Sequence, residues 1–153
     1  MDRLPDSIGG YILLIHEFLI LLQEKRKISA LNDYKLFCFN GKPKVTLVCS
    51  ERFSEGGLRE DFFDEHWNHT TIKRPGHPNS NTAILKPINY EKMKMFARQL
   101  SQGSPFMRVD FYETNGKLYF GELTFYPASG FEEFEPDEWD YILGEWLHLP
   151  ERR

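Results

Sequence analysis

"RVDFYETNGKLYFGELTFYP", residues 108–127, reads as two strands around a turn at Asn115-Gly116, with an Asp on the first strand and a Glu on the second. Side chains alternate between the two faces of a strand. The odd positions Met107, Val109, Phe111, Tyr119, Leu123 and Phe125 are apolar and read as a core face. The even positions carry Arg108, Asp110, Glu122 and Thr124. The turn decides whether these four share a face. A two-residue Asn115-Gly116 turn opposes Thr114 to Lys117 and Asp110 to Gly121, which sends the carboxylates to opposite sides. A three-residue loop, Thr114-Asn115-Gly116 with the glycine left-handed, pairs Glu113 with Lys117, Asp110 with Phe120 and Arg108 with Glu122. The apolar odd face favours this second register and one shared face.

Two carboxylates about 4 Å apart repel by roughly 4 kcal/mol at an effective dielectric of about 20. The hairpin is therefore expected to be strained without a cation, and to be as stable or more so when both acids become amides. A divalent ion removes the repulsion, and oxygen-only ligands select Mg²⁺ or Mn²⁺ over zinc. The plainer alternative is a surface Arg108–Glu122 salt bridge with Asp110 facing water.

The chain around this hairpin has 153 residues, 41% hydrophobic and 15% aromatic, which fits one domain with a core. A net charge of −4 argues against a general nucleic-acid binder. The two cysteines, Cys38 and Cys49, have neither zinc nor redox spacing and read as small buried hydrophobes in a reducing, cytoplasmic setting. The run "YILLIHEFLILL", residues 11–22, is too short to span a bilayer and carries His16 and Glu17. It fits a buried strand or a helix equally.

Upstream, "YKLFCFNGKPKVTLVCS" reads as another hairpin about Asn40-Gly41, followed by a charged, Gly-rich loop over residues 51–57. "LREDFFDEHWNH" fits one or two helical turns. Residues 70–87 are dense in Pro, Gly, Asn and Thr and read as a loop. "INYEKMKMFARQLSQG" predicts a helix with Met93, Phe96, Ala97 and Leu100 on one face, Asn89 as its cap and Gly103 as its stop. A closing helix over residues 137–147 carries Trp139, Ile142, Leu143 and Trp146. Hairpins mixed with separate helices give an α+β domain, with residues 1–32 as an N-terminal apolar element and polar linker before the region 33–150.

Three further patterns carry chemistry weakly. "HWNH" spaces His66 and His69 for a metal on a helix but offers no third ligand. Lys35, at the start of the first hairpin, is either solvated or placed to meet phosphate. A nuclease of the D…E-x-K kind needs a lysine where this chain has Thr124.

"DYKLFCFNGK" and "LSQGSPFMRVDFYETNGKLYFGELTFYPASGFEEFEPDEWDYILGEWLHLP" together resemble the TupA-like ATP-grasp family, over about residues 33–150. That family is associated with cell-envelope and capsular polysaccharide biosynthesis. The resemblance implies an ATP- and Mg²⁺-dependent ligase that activates a carboxylate as an acyl-phosphate. It implies that Arg108 meets the transferring phosphate and that Asp110 and Glu122 hold Mg²⁺, with Thr124 where the superfamily has a third, Asn ligand. Lys35 would face the nucleotide, and Glu17 would fall at the hinge that touches adenine, with His16 in the other acidic place. Tyr112, Phe120 and Tyr126 would keep the site dry. The implied partners are a nucleotide, and a polysaccharide precursor or amino-acid substrate. The chain resembles the C-terminal half of an ATP-grasp domain, so a second chain supplying an N-terminal half is a further expected partner. The alternative is a non-catalytic remnant of the fold that binds nucleotide or glycan.

Overall fold

The computed structural model describes residues 31–52 and 54–151. Five strands form one antiparallel sheet in the order β3-β2-β1-β4-β5: β1 (Asp33–Phe39), β2 (Lys42–Ser50), β3 (Arg59–Asp64), β4 (Phe106–Thr114) and β5 (Lys117–Thr124). Among the described residues two α-helices accompany it, α1 (Tyr90–Leu100) and α2 (Glu138–Trp146), so the expected α+β architecture holds. None of the described helices is long and apolar enough to cross a membrane.

Both hairpins turn on Asn-Gly, and all four turn residues have positive φ, 48° and 77° at Asn40-Gly41 and 51° and 71° at Asn115-Gly116. Such turns match the right-handed twist of the strands they join, and Asn and Gly are the residues that tolerate the conformation. The turn at Asn115-Gly116 is thus the two-residue kind, pairing Thr114 with Lys117, and not the three-residue loop expected from the alternation. A β-bulge then restores the shared face. Phe111 pairs with Phe120, but Val109 pairs with Leu123 and Arg108 with Thr124, so Gly121 and Glu122 together oppose Asp110. The extra residue flips the parity of β5. Before the bulge Leu118 and Phe120 face the helix-side core; beyond it Glu122 and Thr124 come round beside Arg108 and Asp110.

One face of the sheet packs on α1. Leu36, Val48, Phe63, Val109 and Phe111 meet Tyr90, Met93 and Ala97 there. Glu113 holds the start of that helix, accepting from the backbone N–H of Ile88 at 3.1 Å and of Asn89 at 2.8 Å. Asn89 precedes the helix as expected but does not cap it with its side chain, which donates instead to the Gly116 carbonyl. On the other face, Phe37, Leu47, Phe62 and Ile72 pack with Leu143, Trp139 and Trp146 of the α2 stripe. The segment expected to be helical at Arg59–Asp64 is β3: Phe62 and Phe63 enter opposite cores, a period of two that only a strand provides.

Candidate active site

The α2 cluster covers only part of its face. On the rest of that face, Lys35 on β1 stands directly opposite Asp110 on β4, and Phe37 opposite Arg108. Lys35 Nζ lies 2.6 Å from Asp110 Oδ2 and 2.7 Å from Asp33 Oδ2. Arg108 donates Nε to Asp110 Oδ1 at 2.8 Å and Nη2 to Asp110 Oδ2 at 2.9 Å. The same Nη2 reaches Glu122 Oε1 at 2.7 Å, where Thr124 Oγ1 also donates at 3.3 Å. The result is a chain of alternating charge, Asp33–Lys35–Asp110–Arg108–Glu122, running from β1 to β5.

Burial grades this chain. Asp110 is 1% exposed, whereas the Glu122 side chain is 62% exposed. Burial pushes the Asp33 carboxyl above its ordinary value against the pull of Lys35. Burial would lower the Lys35 ammonium, but Asp110 and Asp33 together outweigh it and hold the group above its ordinary value. The two partners move in the same direction because two anions outweigh burial at Lys35, whereas burial outweighs Lys35 and Arg52, whose Nη2 lies 3.4 Å from Oδ2, at Asp33. Asp33 Oδ1 is buried and has no hydrogen-bond partner.

A second ion-pair set adjoins the first. Arg74 Nη1 donates to Glu60 Oε1 at 3.0 Å and Oε2 at 3.2 Å, and its Nε lies 3.0 Å from Glu132 Oε1. Burial raises the Glu132 carboxyl, opposed first by Arg74 and then by Arg108, which ties the two sets into one field.

The structure brings Arg108, Asp110, Glu122, Thr124 and Lys35 together on one face, as the alternation required. The Arg108–Glu122 pair of the plainer alternative is present too, but Asp110 does not face water. The expected repulsion is absent, because the Arg108 guanidinium already lies between Asp110 and Glu122. Glu17 and His16 fall outside the described residues. Of the aromatics expected to dry the site, Phe120 packs on Phe111 in the helix-side core and Tyr126 is 79% exposed; only Tyr112 lies on the site face, opposite Asp33. His66 sits on a turn and His69 bridges back to Phe63, neither on a helix, and no group of three or more His, Cys, Asp or Glu gathers to hold a metal among the described residues. Asp33 was legible in "DYK", since it lies two residues before Lys35 and so shares its face. Arg74, Glu60 and Glu132 were not legible, because a loop brings them together from distant positions.

For Mg²⁺ the donor set is suitable: two carboxylates and a hydroxyl, all oxygen, of which Mg²⁺ needs one or two carboxylates when phosphate supplies the rest. Arg108 itself shows that one cationic group reaches both acids. Binding of the ion requires Arg108 to release part of that grip.

The family model for TupA-like ATPgrasp matches residues 12–148. This chain belongs to the TupA-like ATP-grasp family. The match begins within the apolar run and spans both hairpins and both helices of the sheet domain. No curated protein and no solved structure matches the chain. ATP-grasp proteins generally use ATP and Mg²⁺.

Proposed function

We propose that this chain forms the nucleotide- and Mg²⁺-binding part of an ATP-dependent carboxylate ligase, acting in the cytoplasm on a precursor of a cell-envelope polysaccharide. ATP held with Mg²⁺ would give its γ-phosphoryl group to the carboxylate, releasing ADP and leaving an acyl-phosphate from which the attacking nucleophile displaces phosphate. Asp110 and Glu122 would hold the ion, Arg108 would turn from them to the phosphate oxygens, and Lys35 holds the Asp110 carboxylate in place. The observation that carries this reading is the Arg108 bridge between a buried and an exposed carboxylate. A guanidinium in that position offsets the charge of the acids until phosphate arrives, then stabilises the charge that builds on the transferring group. The acceptor is an amine or similar nucleophile, and a complementary chain carrying the superfamily's N-terminal half is a proposed partner.

A second reading, a nucleotide- or glycan-binding remnant without catalysis, draws support from the same site. Both oxygens of Asp110 are already engaged, and Thr124 stands in the third ligand position. Titration calorimetry of the full chain with Mg²⁺–ATP, followed by assay for ADP release with a carboxylate and amine mixture, separates the two. Mg²⁺-dependent ATP binding with ADP release, by the chain alone or once a complementary chain is added, supports the ligase, and binding that gives no turnover in either case supports the remnant. No binding of ATP at all overturns the ligase reading and leaves only a glycan-binding remnant.

A further inference from the structure

On the opposite sheet face, at the β3 edge, a second polar cluster has no part in this chemistry. Asp61 pairs across β2 with Val48, on the α1 side, and is 3% exposed. Its Oδ1 lies 2.8 Å from His69 Nε2 and accepts from Asn79 Nδ2 at 3.0 Å. Its Oδ2 accepts the backbone N–H of Ser80 at 3.0 Å. Three donors therefore satisfy this buried acid, and they draw the 69–80 segment back along the strand edge. Donation from Nε2 to this carboxylate leaves, in the neutral imidazole, the Nδ1 lone pair as an acceptor.

A loop staple needs only Asp61, Asn79 and Ser80. It does not need an imidazole whose other nitrogen is left as an acceptor beside a cavity of about 1160 Å³, with Lys73 on the same wall. We infer that this cavity binds a neutral, polyhydroxylated small molecule of the size of one or two sugar units. Hydroxyls both donate and accept, and the wall offers both roles: His69 Nδ1 accepts, Lys73 donates, and the Thr71 and Thr82 hydroxyls do either. Phe63 and Ile84 provide apolar surface for the C–H faces of such a ligand. Glu135 and Asp137 also line the cavity, so an anion such as phosphate meets no net positive field. This inference is independent of the nucleotide reading, because none of the residues lining the cavity belongs to the Asp33–Lys35–Asp110–Arg108–Glu122 chain.

The test is nuclear magnetic resonance on the isotope-labelled full chain, titrated in turn with glucose, N-acetylglucosamine and inorganic phosphate. At least one of the sugars is expected to give saturable shifts at His69, Lys73, Asn79 and Ser80, and phosphate none there. His69→Phe should weaken that binding about tenfold, the loss of one hydrogen bond. Lys73→Met changes an exposed side chain, leaves the fold intact and should weaken binding in the same sense. Absence of shifts with both sugars, shifts unchanged in both variants, shifts centred on Arg108, or shifts with phosphate alone would each overturn the inference.

Discussion

Lys35 and Asp110 are direct register partners across β1 and β4, and Nζ stands 2.6 Å from Oδ2. This pair makes Asp110 a structural residue as well as a site residue. Asp110→Asn leaves Lys35 and Arg108 facing a neutral amide in a desolvated place. Breaking a buried ion pair by removing one partner costs about 3–5 kcal/mol. Urea unfolding of Asp110→Asn should show a loss toward the lower end of that range, since the amide oxygen still accepts. The double amide variant Asp110→Asn/Glu122→Gln should also be less stable than the native chain, the reverse of what repulsion alone implied.

Glu122 separates the two roles. Its side chain is 62% exposed and its pairing with Arg108 is open to solvent screening. Glu122→Gln should leave stability within about 0.5 kcal/mol of native while weakening Mg²⁺-dependent ATP binding. For the native chain, ligand at about a hundredfold excess over its dissociation constant should add about 2.7 kcal/mol to unfolding. Thermal melts of the two proteins with and without Mg²⁺–ATP check this; equal gains would remove Glu122 from the site.

Gly121 belongs to the bulge for lack of room. A Cβ there would lie 3.0 Å from Tyr112 Cε2 and 3.1 Å from the Asp110 carbonyl oxygen. Gly121→Ala must push on backbone that cannot easily give. A loss of about 1–3 kcal/mol is expected, with a shift of the Asp110 and Glu122 resonances.

The pH dependence follows from Glu132. Burial raises its folded pKa above the ordinary value of 4.5, despite Arg74 and Arg108. As pH rises, the unfolded chain releases this proton first, so ionisation weighs against the native state. Stability from Glu132 is greatest below 4.5 and falls as pH climbs through the folded value. Glu132→Gln does not titrate. Relative to that variant the native chain should gain stability as pH drops from neutral towards 4.5, measured by paired denaturation curves. Asp33, also raised by burial, acts in the same sense.

Alternation and turn chemistry in the sequence were enough to reveal the two hairpins, the α1 stripe of Met93 and Ala97, and the shared face of Arg108, Asp110 and Glu122. They misjudged how that face arises, because a bulge inserts its extra residue without a local marker other than Gly121. β3 was hidden because "REDFFD" buries acids on both faces: Glu60 against Arg74, Asp61 against His69 and Asn79. Such pairing is tertiary and leaves no periodic trace. Lys35 was legible as a strand residue, but its bridge between Asp33 and Asp110 depends on β4 arriving beside β1, a long-range event.

The bulge also guards the hairpin against its own misalignment. Had the ladder run on unbroken from the Asn115-Gly116 turn, Glu122 would oppose Val109 and point into the hydrocarbon beneath α1. An isolated carboxylate in that setting is heavily penalised. The slipped alignment therefore rejects itself, and the acid that equips the ligand face also proofreads the pairing of its strand. A chain with Glu122→Leu loses that safeguard, and two interconverting hairpin registers should appear as doubled resonances along β5.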